Sequence, residues 1–535
     1  MGSVNNRIGI ISHIDQTERK VDLPENERKA DMFKKLFRWS KIEHDGYLWE
    51  EFKFFKRIMD IEDTVFNIWE LPILSGLHVE SAIKRMGDNV TTMRINSIFD
   101  DTIESEYQRL KEFDPDCIFL STTFLLNKEQ LSMAVGDVRS RFPQTPIVLG
   151  GNFIVKEIAH GYDVEQLLKV CGENVYIINS KYGEEEIVNF LGAMRKEDEV
   201  FKLDADSNIL RSQEREKKYS IDEWRVDYSR LNYGKTLAPI RTAAGCPFSC
   251  NFCSYPSSAG AYLTEDVVST INQLKALDTR GVRKIIFTDD TLNVPLQRFT
   301  RLLQSMVEEG LTNFQCFSFC RCQYLTEETV KLMKQCGFTA VLLGIESGSD
   351  TVLEHMNKRA TTEQYLRGIE LLKKNGIMTF SAIIIGHPGE TDETIKETVE
   401  FLNTSGLDYC YIQPFYYLHN SPIHQKAEQY GLSGEGLRWK HNTMNSSQCM
   451  DLLDELIFKI NGPVYANEEY AMWELIYFLF KGYTKEFYRD YRVLLNNLRR
   501  LALTGEDPNK DKHDRLINEF KTRHNVNAQT TFAGN

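Results

Sequence analysis

The spacing of apolar and polar positions changes character along the chain. Residues 1–60 mix charge with aromatic side chains, Lys34, Lys35, Phe37, Trp39, Trp49, Phe52, Phe54 and Phe55, at spacings that predict short helices packed on something else. From Val65 onward, apolar runs at 65–69, 90–95, 117–120 and 147–149 alternate with helical stretches at 76–86, 103–113 and 128–142. Strands buried on both faces read as continuous apolar runs, so the pattern over residues 61–195 predicts a doubly wound, Rossmann-like α/β domain. Glu184, Glu185 and Glu186 open a further helix with acids where they complement its dipole.

Ligands of such a sheet sit beyond the carboxyl ends of its strands. Here those ends are 71–76, Ser121-Thr122-Thr123 and Gly150-Gly151-Asn152, small and hydroxylated residues that suit a large ligand approaching backbone. Ordinary strand-to-helix turns have the same composition. A polar linker, 196–235, leads to a second alternation over 236–415. Strands at 238–243, 284–287, 314–319, 340–345, 378–385 and 409–412 alternate with helices, which predicts a partial (β/α)6 barrel. Residues 416–504 read as a helical cap and 505–535 as a polar, mobile tail.

Composition narrows the function. A formal charge of −13 over 535 residues argues against a general nucleic-acid binder. No apolar run reaches the ~20 residues of a membrane span, and the N-terminus lacks a secretory h-region, so a cytoplasmic protein is expected. Most of the eleven cysteines, such as Cys117, Cys171 and Cys336, sit singly in apolar segments and read as buried thiols of a reducing compartment.

Three cysteines stand apart. Gly245-Cys246-Pro247-Phe248-Ser249-Cys250-Asn251-Phe252-Cys253 follows the first barrel strand and spaces its thiols C-x3-C-x2-C. That spacing puts three thiolates on one iron–sulfur cluster and leaves the fourth iron without a protein ligand. A structural zinc site is the alternative, but no fourth Cys or His follows Cys253 at finger spacing. Other polar groups collect at the barrel's strand ends: Asp289 and Asp290, Arg321, Glu346-Ser347-Gly348, and Gly386-His387-Pro388-Gly389-Glu390.

The cysteine triplet, Phe252 and the six βα units together resemble the radical S-adenosylmethionine superfamily, and the domain ahead of them resembles the cobalamin-binding domain of its large methyltransferase class. The resemblance implies that Cys246, Cys250 and Cys253 ligate a [4Fe–4S] cluster whose open iron binds S-adenosylmethionine, and that Phe252 shields the cluster. One electron then cleaves the sulfonium to give methionine and a 5′-deoxyadenosyl radical. It places Asp289 and Asp290 at the methionine amino group, Arg321 at its carboxylate, Glu346 and Ser347 along the pocket, and Gly386 and Pro388 on the adenine side. Plain turn acids and a structural salt bridge are the alternatives for the two aspartates and Arg321. Ser121, Thr122, Gly150 and Gly151 become cobalamin contacts.

The histidine signature D-x-H-x-x-G of some cobalamin proteins is absent, which leaves cobalamin open. The C-terminal segment Trp439-Lys440-His441-Asn442-Thr443-Met444-Asn445 with Cys449 resembles a subgroup containing phosphinothricin-type P-methyltransferases and ribosomal-peptide-modifying enzymes. That subgroup implies methylation of an unactivated carbon or a phosphinate in a natural product or peptide. It also implies an electron donor such as flavodoxin or ferredoxin. A peptide epimerase is the rival, with Cys449, or secondarily Cys410, as hydrogen donor; a buried apolar thiol is the plain reading of either. A non-enzymatic metal-binding module is the third expectation.

Overall fold

The computed structural model describes residues 6–15, 41–61, 65–87, 90–99, 101–125, 127–159, 164–180, 182–195, 209–211, 219–234, 237–466, 471–504 and 510–524. Contacts divide the chain into two units, one within Met1–Leu23, Trp69–Cys246 and Tyr255–Asp289, the other within Pro24–Ile68, Pro247–Ser254 and Asp290–Asn535.

The first unit holds a parallel sheet of β1 (Asn6–Ile11), β2 (Val90–Ile95), β3 (Cys117–Ser121), β4 (Ile147–Gly150), β5 (Val175–Asn179) and β6 (Ile209–Arg211), in the order β2-β1-β3-β4-β5-β6. Alternate residues serve opposite faces, as a two-residue period requires. Ile118, Leu120, Ile147 and Leu149 join one core with helices Ile103–Phe113 and Lys128–Arg141, while Cys117, Phe119 and Val148 join the other with helix Glu184–Arg195. Gly9 of β1 lets a helix close on the sheet, since a Cβ there would stand 2.9 Å from Leu110 Cδ1. The order turns back between β1 and β3, and such a switch point is where an open α/β sheet has its binding crevice. The same unit contains the parallel pair β7 (Leu237–Ile240) and β8 (Lys284–Phe287).

In the second unit β9 (Gln315–Cys320), β10 (Phe338–Glu346), β11 (Met378–Ile385), β12 (Tyr409–Pro414) and the short β13 (Val464–Tyr465) are parallel neighbours in chain order. Helices Glu327–Gln335, Thr362–Lys374 and Asp392–Thr404 intervene, each opened by a threonine that accepts from the third helical N–H. The six strands β7 to β12 thus alternate with helices along the chain as expected.

Three boundaries need correction. The described part of residues 1–60 is not all helical: Asn6–Ile11 is an inner strand of the first sheet, and the run at 65–69 yields the 3-10 turn Ile68–Glu70. The stretch 8–11 is short and begins a charged segment, so its period was swamped by its neighbours. The linker contains β6 at the sheet edge and the helical turn Ile221–Trp224. The tail is not uniformly loose, because helix Lys510–Arg523 buries Ile517 and Phe520. Lys34, Lys35, Phe37 and Trp39 lie outside the described residues.

The aromatic helix near residue 55 does pack on something else. Helix Glu51–Met59 sets Phe55 against Phe66, Phe478 and Tyr491, and Glu51 lies buried between Arg492 and Arg499. Burial pushes that carboxyl up, but Arg492 and then Arg499 more than offset this and hold it at about 2. A carboxyl depressed in the folded state stabilises above its unfolded value and loses that contribution as pH falls toward 2. Glu51→Ala leaves two buried guanidinium groups short of an acceptor and should cost about 3–5 kcal/mol in denaturant melts. The difference between wild type and Glu51→Ala should shrink between pH 4.5 and 2.

Candidate active site

The cysteine loop starts where only glycine fits. Gly245 has φ 77°, and a Cβ there would meet Ala261 O at 2.9 Å. Cys250 is buried, whereas Cys246 and Cys253 are partly exposed, and all eleven cysteines are reduced. The segment 249–252 is held by the turn after helix Asp350–His355. Asn251 donates its backbone N–H to Met356 O at 2.9 Å and its side-chain amide to His355 O at 2.5 Å, and Asn357 donates to Ser249 O at 2.8 Å. Phe252 lies near that turn, 5.8 Å from Lys358 Nζ to ring centroid.

Arg321 follows β9 directly and is buried against the same loop. Its guanidinium donates to Cys250 Sγ at 2.9 Å and to Lys358 O at 3.2 Å and lies 3.6 Å above the Phe248 ring. Asn293 fixes its backbone on both sides, accepting from Arg321 N at 2.9 Å and donating to Arg321 O at 2.8 Å. The resemblance puts Arg321 at the methionine carboxylate of S-adenosylmethionine, with a structural salt bridge as the alternative; in the structure its guanidinium meets a cysteine sulfur. Among the described residues no three His, Cys, Asp or Glu close around a single-ion position. A cubane cluster has no such need, since each thiolate binds a separate iron.

The two aspartates differ. Asp289 is buried in the first unit and accepts from Thr242 N at 2.7 Å, Thr242 Oγ1 at 2.8 Å and Ala243 N at 2.5 Å, so it clamps the exit of β7. Asp290 is exposed. At the end of β10, Glu346 takes φ 68°, a left-handed conformation costing a non-glycine residue about 1–3 kcal/mol and common at functional sites. Lys358 Nζ, also buried, meets Glu346 Oε1 at 2.9 Å. The pair lies over Gly344, where a Cβ would stand 2.8 Å from that oxygen. Ser347 is turned inward to Thr398 Oγ1 at 3.2 Å and accepts from Ser349 N.

At the end of β11, Gly386 has φ 88°, and a Cβ there would collide with Trp439 at 2.5 Å and meet Cys449 Sγ at 3.0 Å. Glu390 accepts from Gly386 N, and His441 donates to Gly386 O at 3.0 Å. Burial raises Glu390 to about 8, so the carboxyl is protonated at neutral pH. Pro388 is buried, and its carbonyl lies 3.1 Å from His387 Nδ1. Cys449 donates to Ile385 O at 3.2 Å; burial, and next the nearby Glu390, push its thiol up, so it stays protonated. Cys410 is the second residue of β12, far from that strand's carboxyl end, and burial raises it too.

The first unit has a cavity of about 320 Å3 at the ends of β1, β3, β4 and β5, within the size range of small-molecule sites. Ser121, Gly150 and Gly151 line it; Thr122 does not, because it turns inward to Gly150 O at 3.0 Å. Gly151 has φ 119°, and a Cβ there would press on Thr123 Oγ1 at 2.8 Å. Val79, Phe119 and Ile187 make apolar wall, and His78, Glu184 and Arg241 make polar wall. His13, just past β1, was missed with its strand. It is buried with its ring 4.1 Å from Trp69 and 5.3 Å from Phe124, burial lowers it to about 4, and its Nε2 has no hydrogen-bond partner. The sequence signal for it was the short apolar run Ile8-Gly9-Ile10-Ile11 closing on Ser12-His13. Lys358 was also missed, and nothing in its flanking sequence marks it off from a surface lysine.

The buried pair offers a test. Lys358→Met strands the Glu346 carboxylate and should cost about 3–5 kcal/mol in guanidinium unfolding. Replacing both with apolar residues of similar size should restore most of that loss; a single variant as stable as wild type would mean the pair contributes nothing.

Residues 240–402 match the Radical SAM superfamily. Among curated proteins, an uncharacterized methyltransferase of Pyrococcus horikoshii is 24% identical over 331 residues, 59% of this chain and 70% of its own length. The anaerobic magnesium-protoporphyrin IX monomethyl ester cyclase of Rubrivivax gelatinosus is 30% identical over 34% of this chain, which spans only 33% of that protein. Among solved structures, TsrM of Kitasatospora setae, a radical S-adenosylmethionine methyltransferase with cobalamin and a [4Fe–4S] cluster bound, superposes with a TM-score of 0.56 at 14% identity, over 84% of this chain and 96% of that one. OxsB, a cobalamin-dependent S-adenosylmethionine radical enzyme, gives 0.54 at 14% identity over 98% and 80%. Residues 240–402 thus form a radical SAM domain, which implies S-adenosylmethionine and a [4Fe–4S] cluster, and the chain that carries it has the fold of TsrM and OxsB.

Proposed function

We propose that this chain transfers a methyl group to an unactivated carbon or a phosphinate of a small molecule or peptide, using S-adenosylmethionine, a [4Fe–4S] cluster and cobalamin. The observation that carries the reading is the pairing of a C-x3-C-x2-C loop in the radical SAM domain with a ligand-sized cavity at the switch point of the first sheet. Together the bound groups supply one-electron cleavage of the sulfonium and a methyl carrier.

The chain's own residues hold and shield. Cys246, Cys250 and Cys253 are the cluster ligands, their loop fixed through Asn251 and Asn357, with Phe252 covering it. Asp290 is exposed and carries a carboxylate that suits the methionine amino group, whereas Asp289 keeps the loop entry in shape. Glu346, held by Lys358, and the Gly386–Pro388 turn line the cofactor pocket. Ser121, Gly150 and Gly151 suit cobalamin: a hydroxyl and bare backbone in the cavity wall let a bulky ligand approach the main chain. The electron comes from a low-potential donor of the flavodoxin or ferredoxin kind.

A second reading rests on Cys449. A protonated thiol beside the end of β11 is in the state a hydrogen-atom donor needs, which favours a peptide epimerase. There, deuterium from solvent should enter the product and Cys449→Ala should abolish turnover; a methyltransferase would keep its activity in Cys449→Ala.

Anaerobically reconstituted wild type with S-adenosylmethionine and dithionite should release 5′-deoxyadenosine, and Cys250→Ala should release none. A fully loaded cluster that leaves S-adenosylmethionine intact would refute the enzymatic reading in favour of a binding module.

A further inference from the structure

We propose that Arg321 sets the reduction potential of the cluster through its hydrogen bond to Cys250, and so acts as a positioning residue rather than a substrate ligand. The proposal rests on the reading that Cys250 ligates the cluster. Three observations carry it. Arg321 NH2 lies 2.9 Å from Cys250 Sγ, while its other terminal nitrogen donates to the Lys358 carbonyl. The side chain is 4% exposed, so water does not screen it. It cannot swing away easily, because the guanidinium lies on the Phe248 ring and Asn293 pins both backbone groups of the residue.

The consequence follows from charge. Reduction adds one electron from the external donor to the cluster, takes no proton from Arg321, and leaves the ligated thiolates more electron-rich. A fixed cation donating to one of those sulfurs stabilises the reduced state more than the oxidised one, and hydrogen bonds to cluster sulfurs are among the features that set such potentials. Arg321 therefore makes the cluster easier to reduce. Arginine suits this position because its planar fork serves a sulfur and a carbonyl at once while keeping its charge. The Lys358 carbonyl that it holds belongs to the residue paired with Glu346, so the clamp ties the cysteine loop to the end of β10.

The test is an anaerobic redox titration of the reconstituted full-length chain, followed by electron paramagnetic resonance, for wild type and Arg321→Lys, Arg321→Gln and Arg321→Met. Iron and sulfide are quantified in each so that only the loaded fraction is compared. Arg321→Gln and Arg321→Met should shift the midpoint to more negative values, Met further than Gln, and Arg321→Lys should stay nearer wild type because it keeps the charge. A role confined to folding would lower cluster content and leave the midpoint of the loaded fraction where it was, and that result in either the Gln or the Met variant overturns the proposal. A wild-type chain that takes up no cluster overturns the cysteine reading beneath it, and the proposal with it.

Discussion

A guanidinium taken out of water must find acceptors in every direction it points, and that requirement shapes the functional end of the second unit. Arg321 meets it with a cysteine sulfur, a backbone carbonyl and an aromatic face. Each contact fixes something else: Cys250 in its loop, the turn carrying Lys358, and Phe248 beside the thiols. Lys358 in turn holds Glu346 in a backbone conformation it would not adopt alone. The strain at Glu346 and the burial of two cations are costs that the surrounding contacts have to offset.

The first unit meets a different constraint. Its parallel sheet needs cover on both faces, and the helices that provide it leave a crevice where the strand order reverses. Small residues gather there: Gly150, Gly151 and Ser121 expose backbone to the cavity, and His13 stands at the end of the strand that makes the reversal. Burial without a partner for Nε2 keeps that imidazole neutral.

Much of this was legible in the sequence. Strands buried on both faces announce themselves as apolar runs, which is why 284–287 and 378–385 were placed to the residue. The cysteine triplet was legible because its spacing is rare and chemically constrained. What escaped was non-local. Asn6–Ile11 is six residues of which only the last four are apolar or small, and its place beside β2 and β3 depends on partners more than 80 residues away. Asp289 looked like an open turn acid, but its acceptor positions are taken by Thr242 and Ala243 across the strand pair. Arg321 was singled out, yet its partner is a sulfur 71 residues earlier in the chain, and no local pattern records such a pairing.

Whether two cofactors serve one chain is decided in the first unit. Reconstituting the chain anaerobically with iron, sulfide and hydroxocobalamin, then passing it through gel filtration, separates bound from free corrinoid. The corrin absorption should co-elute with the cluster-loaded protein in stoichiometric amount. A fully loaded cluster on a chain stripped of corrinoid would contradict the two-cofactor reading.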